Sequence, residues 1–258
     1  MLGAIIGDVI GSIYELNDCR NKEFNLYDDR CFFTDDTVLT IACADILVKG
    51  KVFESDLIIK TLKDYVLKYP NRLYGHRFLK WVMSDKNEPS DSFGNGAVMR
   101  ISPVGFMAKT AEEVKLYSRN ITKVSHNTKQ AIIASEVVSM CIFYAKEGKT
   151  KKYISDYVSK YYDINYNYDD LVKVNTFDSS CEKTVPLAIY CFLISKDFED
   201  CLRTTVSIGG DTDTLCAVSC AIAESYYKVI PEKLKDFVIR KLPKDFLSIL
   251  KIMYENKG

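Results

Sequence analysis

Apolar residues recur at three- to four-residue spacing along almost the whole chain, which is the period of helices packed on a core. That period predicts helices over residues 4–13, 36–48, 55–67, 78–83, 111–124, 129–145 and 151–161. It resumes over 185–195, 198–207 and 214–227, with two short helices after Pro231 and Pro243. Gly50 stands where a C-terminal cap belongs, and the third helix must stop before Pro70. Strand-like alternation occurs only loosely, over 165–177, and one isolated run does not make a sheet. No low-complexity linker, composition shift or fixed-period repeat divides the 258 residues. The expected fold is therefore all-α: one compact domain spanning 1–258, an orthogonal multi-helix bundle whose polar loops converge on one face.

Two acidic clusters interrupt this apolar pattern. Phe33-Thr34-Asp35-Asp36-Thr37 precedes one apolar helix, and Gly209-Gly210-Asp211-Thr212-Asp213-Thr214 precedes another. Capping explains part of each, because Thr and Asp are preferred N-caps and acids in a first turn complement the helix dipole. A cap needs one oxygen, however, and here two carboxylates sit together, twice, beside long apolar stretches. Buried at that density they repel one another unless they are protonated or neutralised. Asp35, Asp36, Asp211 and Asp213, with the threonine hydroxyls, form an oxygen-only set that suits Mg²⁺ or Mn²⁺. Adjacent Asp35 and Asp36 in a first turn point about 100° apart, so one can bridge or each can serve a different ion.

Three further features are candidates for chemistry. In Ser92-Phe93-Gly94-Asn95-Gly96-Ala97 the glycines let backbone amides approach a ligand, and the helix start beyond favours phosphate; a plain turn reads the same way. Phe93 either stacks on a ribose or base or sits in the core. Arg100, one turn further on, is expected to pair with a buried acid rather than with ligand. Glu15 ends the first helix and is either a solvated acid or a general acid or base beside the clusters. Asp8, within that helix, reads as structural, bonded to a neighbouring helix end. His126 precedes Asn127 and Thr128, which read as helix caps, and is itself a candidate phosphate or ribose contact.

Composition narrows the function. With 35 basic and 35 acidic residues the formal charge is +0, which gives no broad attraction to nucleic acid or anionic membrane. Two histidines and nine scattered cysteines, with no C-x-x-C pair, do not make a zinc site and read as reduced thiols. The apolar stretch 1–13 lacks a basic n-region and contains Asp8, so it does not read as a signal peptide. No uncharged apolar run reaches the roughly 20 residues of a membrane span. The expected location is the cytosol.

These motifs, in this order, resemble the ADP-ribosylglycohydrolase family over nearly the whole chain. The resemblance rests on Gly3-Ala4-Ile5-Ile6-Gly7-Asp8 through Tyr14-Glu15, on Phe33–Thr37, on Ser92–Arg100, on Ser125-His126, on Val185-Pro186-Leu187-Ala188-Ile189-Tyr190, and on Ser207–Thr214. The paired acidic motifs are its specific part. It implies a central cleft with two Mg²⁺ (or Mn²⁺) held by Thr34, Asp35, Asp36, Asp211, Asp213 and Thr214. Ser92, Phe93, Gly94, Asn95, Gly96 and His126 would hold the diphosphate and adenosine part. Glu15, Asp35 and Asp36 would act at the scissile bond. The implied reaction is hydrolysis of the bond between ADP-ribose and a modified protein side chain or small molecule. Nucleic acid would enter only as a modified substrate. Specificity for the leaving group is expected in the loops 17–29 and 165–181. Two rival readings remain: a magnesium phosphohydrolase, since Asp211-Thr212-Asp213 echoes a D-x-D nucleophile motif, and a non-catalytic ADP-ribose-binding relative. The first requires a preceding buried strand; the second would be expected to have lost site acids.

Overall fold

The helical period is realised as fourteen α-helices among the described residues of the computed structural model, which are 1–15 and 17–255. In chain order they are α1 Leu2–Gly11, α2 Asp35–Val48, α3 Ser55–Lys68, α4 His76–Val82, α5 Ser102–Met107, α6 Ala111–Lys123 and α7 Lys129–Lys146. There follow α8 Lys151–Val158, α9 Tyr168–Val174, α10 Cys181–Ile194, α11 Phe198–Ser207, α12 Thr212–Tyr227, α13 Glu232–Ile239 and α14 Lys244–Glu255. No sheet occurs among the described residues, only the isolated bridges Ser90–His126 and Gly94–Ser180. The all-α expectation holds. Leu16 and residues 256–258 of the expected single domain lie outside the described residues.

Side-chain caps set several boundaries. Thr110, Thr128, Thr150, Asn167, Ser180 and Asp197 each accept a backbone N–H from the first turn of the helix that follows. Three elements depart from the sequence reading. The 165–177 stretch, read as loose alternation, contains α9. The helix expected from 185 starts at Cys181, behind the Ser180 cap. Beyond the glycine turn lie a 3-10 turn at Asn95–Ala97 and then the short α5, so Arg100 falls between them rather than inside a helix.

The core is organised about α12, whose residues are buried from Thr212 through Ser225. It packs against α1, α10, α11 and α7, and touches α2 and α5. Helix α1 is buried along all ten of its residues. Gly3, Gly7 and Gly11 form one row on it, and that row lies directly on α12. A Cβ at these positions would fall 2.3, 2.2 and 2.6 Å from the carbonyl oxygens of Cys220, Cys216 and Thr212 respectively. Only a helix face without side chains fits there. This close approach carries the end of α1, and with it Glu15, to the start of α12, where Asp211 and Asp213 stand. Thr212 Oγ1 donates to the Gly11 carbonyl at 3.0 Å and locks the junction.

Asp8 ties α1 to the second acidic helix. Its carboxylate accepts from the N–H groups of Thr34 (3.0 Å) and Thr37 (3.1 Å), from Thr34 Oγ1 (2.7 Å) and from Thr37 Oγ1. The expectation that Asp8 bonds a neighbouring helix end is met: it receives the N-terminus of α2 and so fixes where Asp35 and Asp36 point.

Candidate active site

Glu15, Asp35, Asp36, Asp211, Asp213 and Thr214 line one cavity of about 340 Å³, together with Ser92, Gly94, Asn95, Gly96 and His126. Two stretches far apart in sequence thus meet at one cavity, and the glycine turn lies against them. The turn is pinned by Asn95 N–H donating to the Ser179 carbonyl (2.7 Å) and by Cys181 N–H donating to the Phe93 carbonyl (3.0 Å). Asn95 Nδ2 donates to Asp211 Oδ2 at 2.7 Å and to Thr184 Oγ1 at 3.0 Å. Gly209 and Gly210, at φ +67° and +87°, adopt the left-handed backbone that turns the chain from α11 into α12.

Two predicted residues sit elsewhere. Phe93 does not line the cavity and is 55% exposed, so it neither fills the core nor offers its ring to a ligand there. Thr34 also lies off the cavity wall: its hydroxyl donates to Asp8 and accepts from Asp36 N–H at 3.2 Å, as the cap of α2. One lone pair of that oxygen remains. Among the described residues Arg100 has no acid partner; its guanidinium donates to Ser125 Oγ at 2.6 Å, which corrects the expectation of a buried ion pair. Sequence reasoning missed Ser90, Phe177, Ser179 and the α4 residues His76, Arg77 and Phe78 on the same cavity. Phe177, 58% exposed, is the aromatic at its mouth.

The carboxylates are more numerous than the protein can neutralise. Among the described residues, no Lys or Arg is ion-paired with Asp35, Asp36, Asp211 or Asp213. Burial, then the charges of Asp213 and Asp8, hold Asp35 and Asp36 well above the carboxylate range. Asp213 is raised likewise by burial and by Asp211, and Asp211 is raised mainly by burial. Glu15 is pushed up to about 7 by burial and by Asp213 and Asp8. Asp36 Oδ2 is buried with no hydrogen-bond partner. Oxygens of Glu15, Asp211 and Asp213 lie within 4.8 Å of one another, close enough to share one ion. An orphaned buried oxygen amid unneutralised acids is the donor set a hard divalent cation fits.

The sign of the pH dependence follows. The folded chain holds protons on these carboxylates above the pH at which the unfolded chain has lost them, so stability falls as pH rises through the raised values. His126 opposes this only below its ordinary 6.5, because burial and then Arg100 lower it to about 3. In chelator the melting temperature is therefore expected to fall between pH 6.5 and about pH 8. Adding Mg²⁺ or Mn²⁺ at the higher pH should restore it, by roughly 2–4 °C per kcal/mol of repulsion relieved. A melting temperature that ignores both pH and cation would show that the acids are not in repulsion.

The sequence model of the ADP-ribosylglycohydrolase family matches residues 1–252. The chain belongs to this family. It is accordingly an enzyme of a glycosidase-type hydrolase family. Among curated relatives of this ADP-ribosylglycohydrolase, the ADP-ribosylhydrolase ARH3 of Mus musculus is 22% identical, with 90% of this chain and 84% of the relative covered. The ARH3 of Homo sapiens is also 22% identical, with 90% and 86% covered. The putative ADP-ribosyl glycohydrolase L543 of Acanthamoeba polyphaga mimivirus is 23% identical over 93% of this chain and 89% of its own length. Among solved structures, an ADP-ribosylglycohydrolase-related protein complex superposes with a TM-score of 0.72 at 19% identity, covering 100% of this chain and 97% of the other. That likeness establishes the fold. The D-x-D phosphatase reading is set aside on placement as well: Asp211 and Asp213 open a helix, and no sheet precedes them among the described residues.

Proposed function

We propose that this ADP-ribosylglycohydrolase is a divalent-cation-dependent hydrolase that cleaves the glycosidic bond between ADP-ribose and a modified protein side chain or small molecule. The observation that carries this reading is the convergence of Asp35, Asp36, Asp211 and Asp213, unneutralised, beside Glu15 and the glycine turn. Asp35, Asp36, Asp211 and Asp213, with Thr214 and the remaining lone pair of Thr34, would hold two Mg²⁺ or Mn²⁺. Bound there, such cations supply Lewis acidity and orient ribose hydroxyls.

The chain's own groups do the rest. The glycine turn, where Gly96 brings no side chain, and the His126 ring receive the diphosphate, which sets the distal ribose against the carboxylates. Asn95 holds Asp211 in place through its 2.7 Å hydrogen bond. As the leaving group departs, the sugar gains oxocarbenium character, and the carboxylates of Asp35 and Asp36 stabilise that positive charge. Glu15, at about 7, carries a proton part of the time at neutral pH and is the group placed to move one between the leaving atom and water. The location supported by nine free cysteines is the cytosol. No helix among the described residues is long and apolar enough to cross a membrane.

The test is a panel of ADP-ribosyl-arginine peptide, ADP-ribosyl-serine peptide, O-acetyl-ADP-ribose and ADP-ribosylated nucleic acid, each incubated with Mg²⁺ and with chelator. Free ADP-ribose should appear from at least one member, only with the cation. Release of inorganic phosphate instead, or an aspartyl-phosphate trapped at Asp211, would overturn the proposal.

A further inference from the structure

Arg100 is completely buried, yet its Nε and Nη1 have no hydrogen-bond partner and no acid pairs with it among the described residues. Its one hydrogen bond is from Nη2 to Ser125 Oγ, at 2.6 Å. Ser125 Oγ in turn lies 3.0 Å from His126 Nδ1. A guanidinium only donates, so Ser125 Oγ accepts from it. Ser125 is 1% exposed, and among the described residues its hydroxyl has no other hydrogen-bond partner. If His126 Nδ1 carried a proton, that hydroxyl hydrogen would be orphaned in the interior, at a cost of about 1–3 kcal/mol. Only one assignment gives the Ser125 hydroxyl hydrogen an acceptor: Ser125 donates to an unprotonated Nδ1.

We infer that Arg100 acts through Ser125 to fix His126 as a neutral ring with its proton on Nε2, presented to the cavity as a charge-assisted donor for an anionic group of the ligand. The direction is set by the rest of the ring's surroundings. His126 stacks on Phe78 at 6.1 Å and 29°, and a Cβ at Gly96 would sit 3.3 Å from Nε2. Gly96 is thus small because the ring edge occupies the space a side chain would take. Ser125 is held to the cavity wall by Ser90, whose N–H and Oγ both donate to the Ser125 carbonyl at 3.1 and 2.8 Å. Burial and the nearby Arg100 charge, which push His126 down to about 3, agree with a neutral ring.

The arrangement places a positive charge behind the wall without placing one on the ring. Polarisation along guanidinium, hydroxyl and imidazole strengthens the Nε2–H donor. A buried cation without a carboxylate is costly, and a bound anion three hydrogen bonds away is the counter-charge the fold leaves out. That the anion is the diphosphate of ADP-ribose rests on the function proposed above; the tautomer does not. Arg100 and Ser125 are positioning residues here.

The experiment uses the two histidines of the chain, which make ring ¹⁵N spectra of the histidine-labelled protein simple to assign with a His76→Gln variant. At neutral pH, without ligand, His126 should show a neutral ring protonated on Nε2. Ser125→Ala should populate the Nδ1–H form and weaken calorimetric ADP-ribose binding about tenfold. Arg100→Met should weaken it similarly, and the double variant little further, because both act through one chain. Ser125→Thr, which keeps the hydroxyl, should restore both readouts. Ser125→Ala removes a single oxygen and carries the test alone if Arg100→Met does not fold. A charged or Nδ1–H ring in the unmodified protein overturns the inference, as does a Ser125→Ala variant with unchanged tautomer and unchanged affinity. If the ring is Nε2–H but the unmodified protein does not bind ADP-ribose, the function proposal and the ligand half of the inference fail together, and the tautomer assignment stands.

Discussion

Asp213→Asn is expected to abolish turnover and cation-induced stabilisation together, while making the cation-free protein more stable at neutral pH. The side chain is 4% exposed, and its Oδ1 accepts from Thr214 N–H at 2.8 Å. Asparagine keeps the volume and can keep that hydrogen bond, so the start of α12 should survive. The charge is what disappears. It is the largest electrostatic contribution, after burial, to the raised values of Asp35, Asp36 and Glu15. Removing it relieves repulsion in chelator and raises the melting temperature, and it takes a ligand from the cation set. Activity should fall on the order of 10²–10³-fold or more, the scale seen when one preorganised charge-stabilising group is lost. Melting curves with and without Mg²⁺, beside an ADP-ribose release assay, give all three readouts. Full activity of Asp213→Asn in chelator would end the cation-dependent proposal.

Glu15→Gln should separate chemistry from binding. Its carboxylate lies near Asp211 and Asp213, but it comes from the turn that follows α1 rather than from either acidic helix start. The amide keeps an oxygen for contact and cannot exchange a proton. We expect kcat to drop about 10²–10⁴-fold, the range for removing a general acid or base. Mg²⁺-induced stabilisation and ADP-ribose affinity should stay within a few-fold of the unmodified protein. The pH profile assigns the role. If Glu15 protonates the leaving atom, kcat of the unmodified enzyme declines as pH rises through the Glu15 value; if it deprotonates water, kcat rises there. That value lies at or below about 7 with cations present, because they offset the Asp213 and Asp8 charges that raise it. In Glu15→Gln this limb should vanish. An unchanged kcat would remove Glu15 from the reaction.

Much of the scaffold was legible because helix period and caps are local signals. The second helix was expected from 36 and begins at Asp35; the eleventh was expected over 198–207 and is α11. The start of α10 was missed, although Ser180, five residues before Val185, was a readable cap; Pro186 is accommodated inside the helix. Helix α9 buries only Leu171, too little to leave an apolar stripe. The acidic clusters were legible as a surplus of carboxylate over what capping needs. Their geometry was not, because it depends on contacts between distant segments: Asp8 receiving four donors from Thr34, the cap of α2, and Thr37 in its first turn, and Asn95 bonding Asp211 across 116 positions. Arg100 shows the limit from the other side. A lone arginine in an apolar context suggests an acid partner, and only the folded arrangement reveals a serine and a histidine there instead. Phe93 and Phe177 are both aromatic and exposed, and nothing local to either marks the second as the one at the cavity mouth.

The glycine row of α1 has a kinetic consequence. The faces that must meet are 201 residues apart at Gly11 and Thr212, and neither can be satisfied by a neighbour in sequence. Docking them closes a very long loop, a late and slow event in folding. Until it happens, a helix whose one charged residue is Asp8 stands exposed, and the acids of the two clusters remain apart without penalty. Repulsion among them is met only at this last closure, so a divalent ion present during refolding should speed arrival at the native state as well as secure it afterwards.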